Sequence, residues 1–153
     1  MSKVIIRPGK REDVQDVLAL IYELAEYEHA KDQVRMTEEE LVRCGFGDKP
    51  SFSFIVAEIN GDCVGMALYY TKFSTWEGNS IFLEDLIISE KHRRLGVGHQ
   101  LMDRLVEISK EKSSSRLEWQ VLNWNKSAID FYKKYNVAFD DEWINARISF
   151  NNS

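Results

Sequence analysis

The run IFLEDLII, residues 81–88, is the most apolar in the chain, and HRRLGVGHQL, residues 92–101, follows almost at once. A short apolar run rich in β-branched residues reads as a buried strand over 80–88. Val97, Leu101, Leu105 and Ile108 then recur on one face, which predicts a helix from about Val97 to Lys112. At such a strand-to-helix junction the first backbone N–H groups of the helix lack intrahelical partners and favour an anion. Gly96 and Gly98 keep Cβ atoms away from that backbone, and Arg93 and Arg94 add charged donors, so a pyrophosphate fits. The plain alternative is a basic loop whose glycines serve only the turn. The commoner phosphate motifs are absent: there is no G-x-x-x-x-G-K-[ST], and GVGHQL lacks the third glycine of a dinucleotide fingerprint.

The remaining periodicities build the frame around this junction. Strands are expected at 3–7, 51–59, 63–73, 116–122 and 143–150, and helices at 11–28, 37–45 and 125–135. Asn60-Gly61, between two alternating segments, is the strongest hairpin signal. Thr37 with Glu40 suggests a capping box, Gly45 a helix stop, and Asn125 an N-cap. Hairpins followed by a β-α-β crossover imply an α/β (α+β) fold with a mixed, mostly antiparallel central sheet and helices on both faces. At 153 residues, without repeat or linker, one domain over 1–153 is expected.

Charge and cysteine content narrow the class. A net charge of −5 argues against nucleic acid and suits a cationic small substrate. No segment has the length to span a membrane or the h-region of a signal peptide, and two unpaired cysteines fit a reducing compartment, so a cytoplasmic protein is expected. His29, His92 and His99 lack ligand spacing, so no metal is expected. Neither cysteine has a partner base in sequence, which disfavours a covalent route through a cysteine nucleophile.

R-x-x-G-x-G, here Arg93-Arg94-Leu95-Gly96-Val97-Gly98, between an apolar strand and an amphipathic helix resembles the acetyl-CoA signature of the GNAT N-acetyltransferase superfamily. IRP (6–8), ELAEYE (23–28), GFGDKP (45–50), FLEDLII (82–88) and WNKSAIDFYKK (124–134) resemble its diamine (spermidine/spermine) and thialysine acetyltransferase branch. The resemblance runs over about residues 3–135, and STWEGNSIFLED with VLNWN is closer to the thialysine type. It implies a GNAT-like fold, acetyl-CoA as co-substrate, a small primary amine as acceptor, and homodimers with C-terminal segments at the interface.

The residue roles divide accordingly. An alkylammonium of pKa about 10.4 is neutral in roughly one part in 10³ at pH 7.4, a cost of roughly 4 kcal/mol, so a carboxylate must collect it and help remove its proton. Strict alternation would turn Glu84 opposite to Leu83 and Asp85, sending one acid to the site and the other to the far side. An acid inside so apolar a strand is costly unless used, and the resemblance puts the substrate-side carboxylate at Glu84; ordinary strand charges paired with Arg or Lys are the alternative. The resemblance also implies Tyr132 as the acid that protonates the CoA thiolate, where a core aromatic beside Phe131 is the alternative. It implies that Leu86, Ile87 and Ile88 bind the acetyl and pantetheine arm through their backbone. Arg93 through Gly98 with His99 would hold the pyrophosphate, and Asn125, Lys126, Ala128 and Lys134 would make further cofactor contacts. Tyr27, Glu28, Glu118, Trp119, Gln120 and Leu122 would line the amine site, with surface charge or packing as their alternatives. Asn136 stands where relatives carry glycine, and Asn tolerates the left-handed turn needed there. Two other readings stay open: an acetyltransferase acting on a protein N-terminus or lysine, and a non-catalytic CoA-binding or interaction module.

Overall fold

β-Branched and aromatic residues alternating around Asn60-Gly61 form a two-residue hairpin, with both turn residues at positive φ (53° and 86°). This joins β2 (Ser53–Ile59) to β3 (Asp62–Ser74), and β4 (Gly78–Ile88) follows after a second tight turn. β1 (Val4–Pro8) lies outside β2, and β5 (Leu117–Trp119) lies outside β4, giving one sheet in the order β1-β2-β3-β4-β5. The first three pairings are antiparallel and β4–β5 is parallel, as its crossover connection requires. The computed structural model describes residues 3–150.

Helix α1 (Val14–Tyr27) packs Val17 and Leu20 against Phe54, Val56, Met66, Leu68 and Ile87 on one sheet face. Arg7 anchors its start, donating through Nη1 and Nη2 to Asp13 at 2.8 and 2.9 Å, while the Lys10 N–H donates to the same carboxylate. Helix α3 (Val97–Glu111) covers the other face with Leu101, Met102 and Leu105 fully buried. It approaches so closely at Gly65 that a Cβ there would lie 3.3 Å from Leu101 Cδ1. Among the described residues no helix is long and apolar enough to cross a membrane.

Helix α2 (Glu38–Phe46) starts as the sequence implies, with the Thr37 hydroxyl accepting from the Glu40 N–H at 3.1 Å. It does not stop at Gly45 but runs through it and ends at Phe46. The Glu40 carboxylate turns to Arg43 and Cys44 instead of closing the capping box.

The chain divides into two compact units at Gln120–Val121. The sheet and α1–α3 belong to the first. In the second, α4 (Lys126–Tyr132) is capped by Asn125 and runs into a 3₁₀ turn, Lys133–Tyr135, after which Asn136 takes φ 56°, ψ 46°. Two expected strands differ. The one at 116–122 shortens to Leu117–Trp119, and 143–150 forms no ladder. Ile144, Ile148 and Phe150 alternate as a strand would but are 91%, 82% and 86% exposed. A strand exists only through its partner, and alternation does not supply one.

Candidate active site

β4 changes phase at Glu84. Leu83 pairs with Tyr69 and Asp85 with Leu68, which leaves Glu84 as an extra residue without a β3 partner, a β-bulge. The alternation expected from sequence therefore fails. Instead of going to opposite faces, Glu84 and Asp85 share one. Asp85 lies opposite Leu68, whose side chain packs on the α1 side, and Glu84 meets Tyr70, two residues along the same face of β3. The Tyr70 hydroxyl donates to Glu84 Oε1 at 3.1 Å, and its ring lies 5.4 Å from that of Phe82.

The electrostatics follow from this crowding. Burial, then the charges of Glu84 and Glu28, push the Asp85 carboxyl up to about 6. Burial also raises Glu28, at the C-terminal end of α1. Tyr70 is pushed up to about 12, by burial first and then by Glu84, so its phenol keeps the proton it donates. Asp85 thus lies in the negative field of Glu84 and Glu28, a field that an ammonium relieves.

The bulge also ends the pairing with β5. Register runs Ile81–Leu117, Phe82–Glu118, Leu83–Trp119 and stops there. From Glu84 through Ile88 no described strand pairs with the β5 side of β4, although Leu86, Ile87 and Ile88 stay paired with Ala67, Met66 and Gly65 on the other side. Backbone groups on that edge are available to an extended amide-bearing ligand.

That edge leads to the glycine loop. Ser89 Oγ lies 2.6 Å from His92 Nδ1, and the Glu90 N–H donates to Glu23 Oε1 at 2.6 Å, fixing the loop to α1. Arg93 is exposed but tethered: its Nε donates to the Ile88 carbonyl at 3.3 Å, and its guanidinium sits 5.6 Å from the Tyr27 ring centre. Arg94 is exposed and without a protein partner among the described residues, its backbone at φ 66°. Gly96 is the N-cap of α3 at φ 81°, with no side-chain cap and no acid in the first helical turn. Leu95 is exposed and Val97 buried, while Gly98 and His99 are half-buried. An uncapped helix start beside a free arginine fits a phosphate group in charge and in donor set.

The acetyltransferase (GNAT) family model matches residues 13–136. The chain belongs to this family. It is 42% identical to thialysine N-epsilon-acetyltransferase of Sus scrofa, over 87% of this chain and 83% of that protein. Against the Bos taurus enzyme of the same name it is 43% identical, with the same coverage. An aminoglycoside N-acetyltransferase solved in complex with CoA superposes with a TM-score of 0.74 at 15% identity, covering 97% of this chain and 96% of its own, a likeness of fold. The GNAT chain is accordingly an acyltransferase that moves acetyl groups.

Of the other residues implied for the site of this GNAT enzyme, Glu118 is already engaged. Its Oε1 lies 2.7 Å from Lys72 Nζ and its Oε2 3.1 Å from Arg116 Nε. Trp119 is half-buried and Gln120 exposed. The remaining positions belong to the second unit. There Asn125 Oδ1 accepts from the Ala128 N–H at 3.2 Å, while Leu122, Lys126 and Lys134 are exposed. Tyr132 is buried, edge-on to Phe131 at 5.3 Å. Sequence reasoning placed Asp85 on the opposite face from Glu84 and missed the contact of Tyr70 with Glu84. A tyrosine pair in a strand carries no mark that one hydroxyl reaches an acid two strand positions away.

Proposed function

We propose that this acetyltransferase transfers the acetyl group of acetyl-CoA to the primary amine of a small cationic acceptor, a thialysine-like amino acid or a polyamine. The observation that carries this reading is the bulge that puts Glu84 and Asp85 on one face where β4 loses its β5 partner, in the negative field of Glu28. The names of the relatives at 42% and 43% identity support the acceptor class.

In this mechanism the glycine loop and Arg94 hold the pyrophosphate, and the open edge at Leu86–Ile88 receives the pantetheine amides and the acetyl carbonyl. The carboxylates draw in the ammonium, and Glu84, directly or through water, removes one proton. The neutral nitrogen attacks the thioester carbon. The C–S bond breaks, Tyr132 gives its proton to the departing thiolate, and the second proton shed by the nitrogen as it becomes an amide restores the phenol. Acetylamide, free thiol and one proton are the products. Collecting the cation beside a carboxylate offsets part of the roughly 4 kcal/mol needed to make a neutral amine. In the same reading two copies pair through their C-terminal segments, and the enzyme works in the cytoplasm.

Thiol release from acetyl-CoA, measured with putrescine, spermidine, spermine, lysine, thialysine and a lysine peptide, tests the proposal. Turnover with at least one free amine is expected. Turnover with the peptide alone, or none while acetyl-CoA still binds, overturns it.

A further inference from the structure

Away from the acids, the same sheet face changes character. Tyr70 on β3, Phe82 on β4 and Glu118 on β5 form one cross-strand row. The next row outward is Lys72, Ser80 and Arg116, with the Ser80 hydroxyl buried and donating to the Lys72 carbonyl at 3.2 Å. Lys72 Nζ stands 5.2 Å from the Phe82 ring centre and 2.7 Å from Glu118 Oε1. Arg116 reaches both Glu118 and Glu77. The face therefore runs from carboxylates, over two aromatic rings, to two cations that already pair with Glu118 and Glu77.

We propose that Lys72, with Arg116, receives the carboxylate of an amino-acid acceptor whose distal amine lies at Glu84. This rests on the acceptor reading above and narrows it to a zwitterion. Two residues of strand span about 7 Å, so Lys72 stands beyond Tyr70 by about the length of an extended lysine side chain. The methylene or thioether stem crosses the Tyr70 and Phe82 rings, which offer it an apolar floor. Lys72 Nζ and Glu118 Oε1 form an ion pair at 2.7 Å without hydrogen-bond geometry, so the donors of this half-exposed ammonium remain open to a carboxylate.

A second ammonium, as in a diamine, finds the reverse. Glu118 is the acid nearest that position, and it is committed to Lys72 and Arg116. The plain reading of these contacts is a solvated cross-strand ion network, which contributes little to stability. Such a network predicts no selectivity between acceptors with and without a carboxylate.

The test compares thialysine with its decarboxylated counterpart, the same thioether diamine without the carboxylate, using full-length protein and saturating acetyl-CoA. Wild-type kcat/KM should favour the amino acid at least tenfold. Lys72→Gln should lower that ratio at least fivefold, with the loss in KM for the amino acid. Lys72→Glu should invert the ratio, because the new acid and the released Glu118 both attract the second ammonium. Arg116→Gln, checked for an unchanged melting temperature, should lower the ratio in the same direction. A wild-type enzyme indifferent to the carboxylate, or a preference that survives both Lys72 substitutions, overturns the inference while the acetyltransferase reading stands. Silence with both acceptors while acetyl-CoA binds overturns the acceptor reading and this inference with it.

Discussion

Tyr70 holds Glu84 by a single hydrogen bond of 3.1 Å from its hydroxyl to Oε1, across a bulge that leaves the acid without a strand partner. The contact orients the carboxylate proposed to take the amine proton. Tyr70→Phe should therefore lower kcat by about 3- to 10-fold with little change in acetyl-CoA affinity, and Glu84→Gln should lower it by about 100-fold or more. Steady-state rates beside cofactor titrations check both. Full activity of the glutamine variant would remove Glu84 from the chemistry.

Asp85 ties stability to pH. Its carboxyl titrates near 6 in the folded chain, above its ordinary value, because it is buried beside Glu84 and Glu28. Between about pH 4 and 6 the folded state keeps a proton that the unfolded state has lost, so stability falls as pH rises and levels off above 6. Asp85→Asn should remove this slope and stabilise the protein at pH 7.5 by on the order of 1–3 kcal/mol. Urea unfolding of both proteins at pH 4.5 and 7.5 would reveal it; parallel behaviour at the two pH values contradicts it.

The two loop arginines should separate. Arg94→Ala is expected to weaken acetyl-CoA binding about tenfold and to shallow its salt dependence without changing the melting temperature, since it removes only an exposed charge. Arg93→Ala should also lower the melting temperature, because Arg93 bridges the Ile88 carbonyl and the Tyr27 ring. Calorimetric titration with thermal melts distinguishes them; equal effects on both readouts would contradict the division of labour.

Gly96→Ala probes the same junction through the backbone. No atom lies within 4 Å of the added Cβ, so the cost is that of holding an L-residue at φ 81°, about 1 kcal/mol. A much larger loss of folding stability would point to a crowding that the geometry does not contain. Any excess loss of acetyl-CoA affinity reports the ligand's own approach to this backbone.

Tyr132→Phe should lower turnover at least tenfold while acetyl-CoA affinity holds, because only the hydroxyl is removed from a buried ring. Near-wild-type turnover would leave Tyr132 as the core aromatic its contact with Phe131 also describes.

What could be read from the letters was what one segment decides alone. Asn60-Gly61 specifies its turn by its own backbone preferences, and Thr37 and Asn125 each find a donor three residues on. The glycine loop was legible because a helix start needs no distant partner to expose its N–H groups. The bulge at Glu84 was not, because it is a property of counting across two strands, and β3 gives no sign of being one residue short there. That one residue moved Asp85 from the expected far face to the site. Likewise the alternation at 143–150 says what could pair but not what does.

The order of the strands has a kinetic consequence. β2, β3 and β4 meet across two short turns, whereas β4 reaches β5 only after residues 89–116 have closed as a loop around α3. Closing the longer loop costs more chain entropy, and only three register pairs repay it. The meander therefore assembles before β5 joins β4, and the pairing beside Glu84 opens more readily than those within the meander. Hydrogen exchange should find the Leu117–Trp119 amides released at a lower free energy than those of β3. The rim of the acceptor face would then breathe on its own, letting a long ligand slip in sideways without unfolding the sheet beneath it.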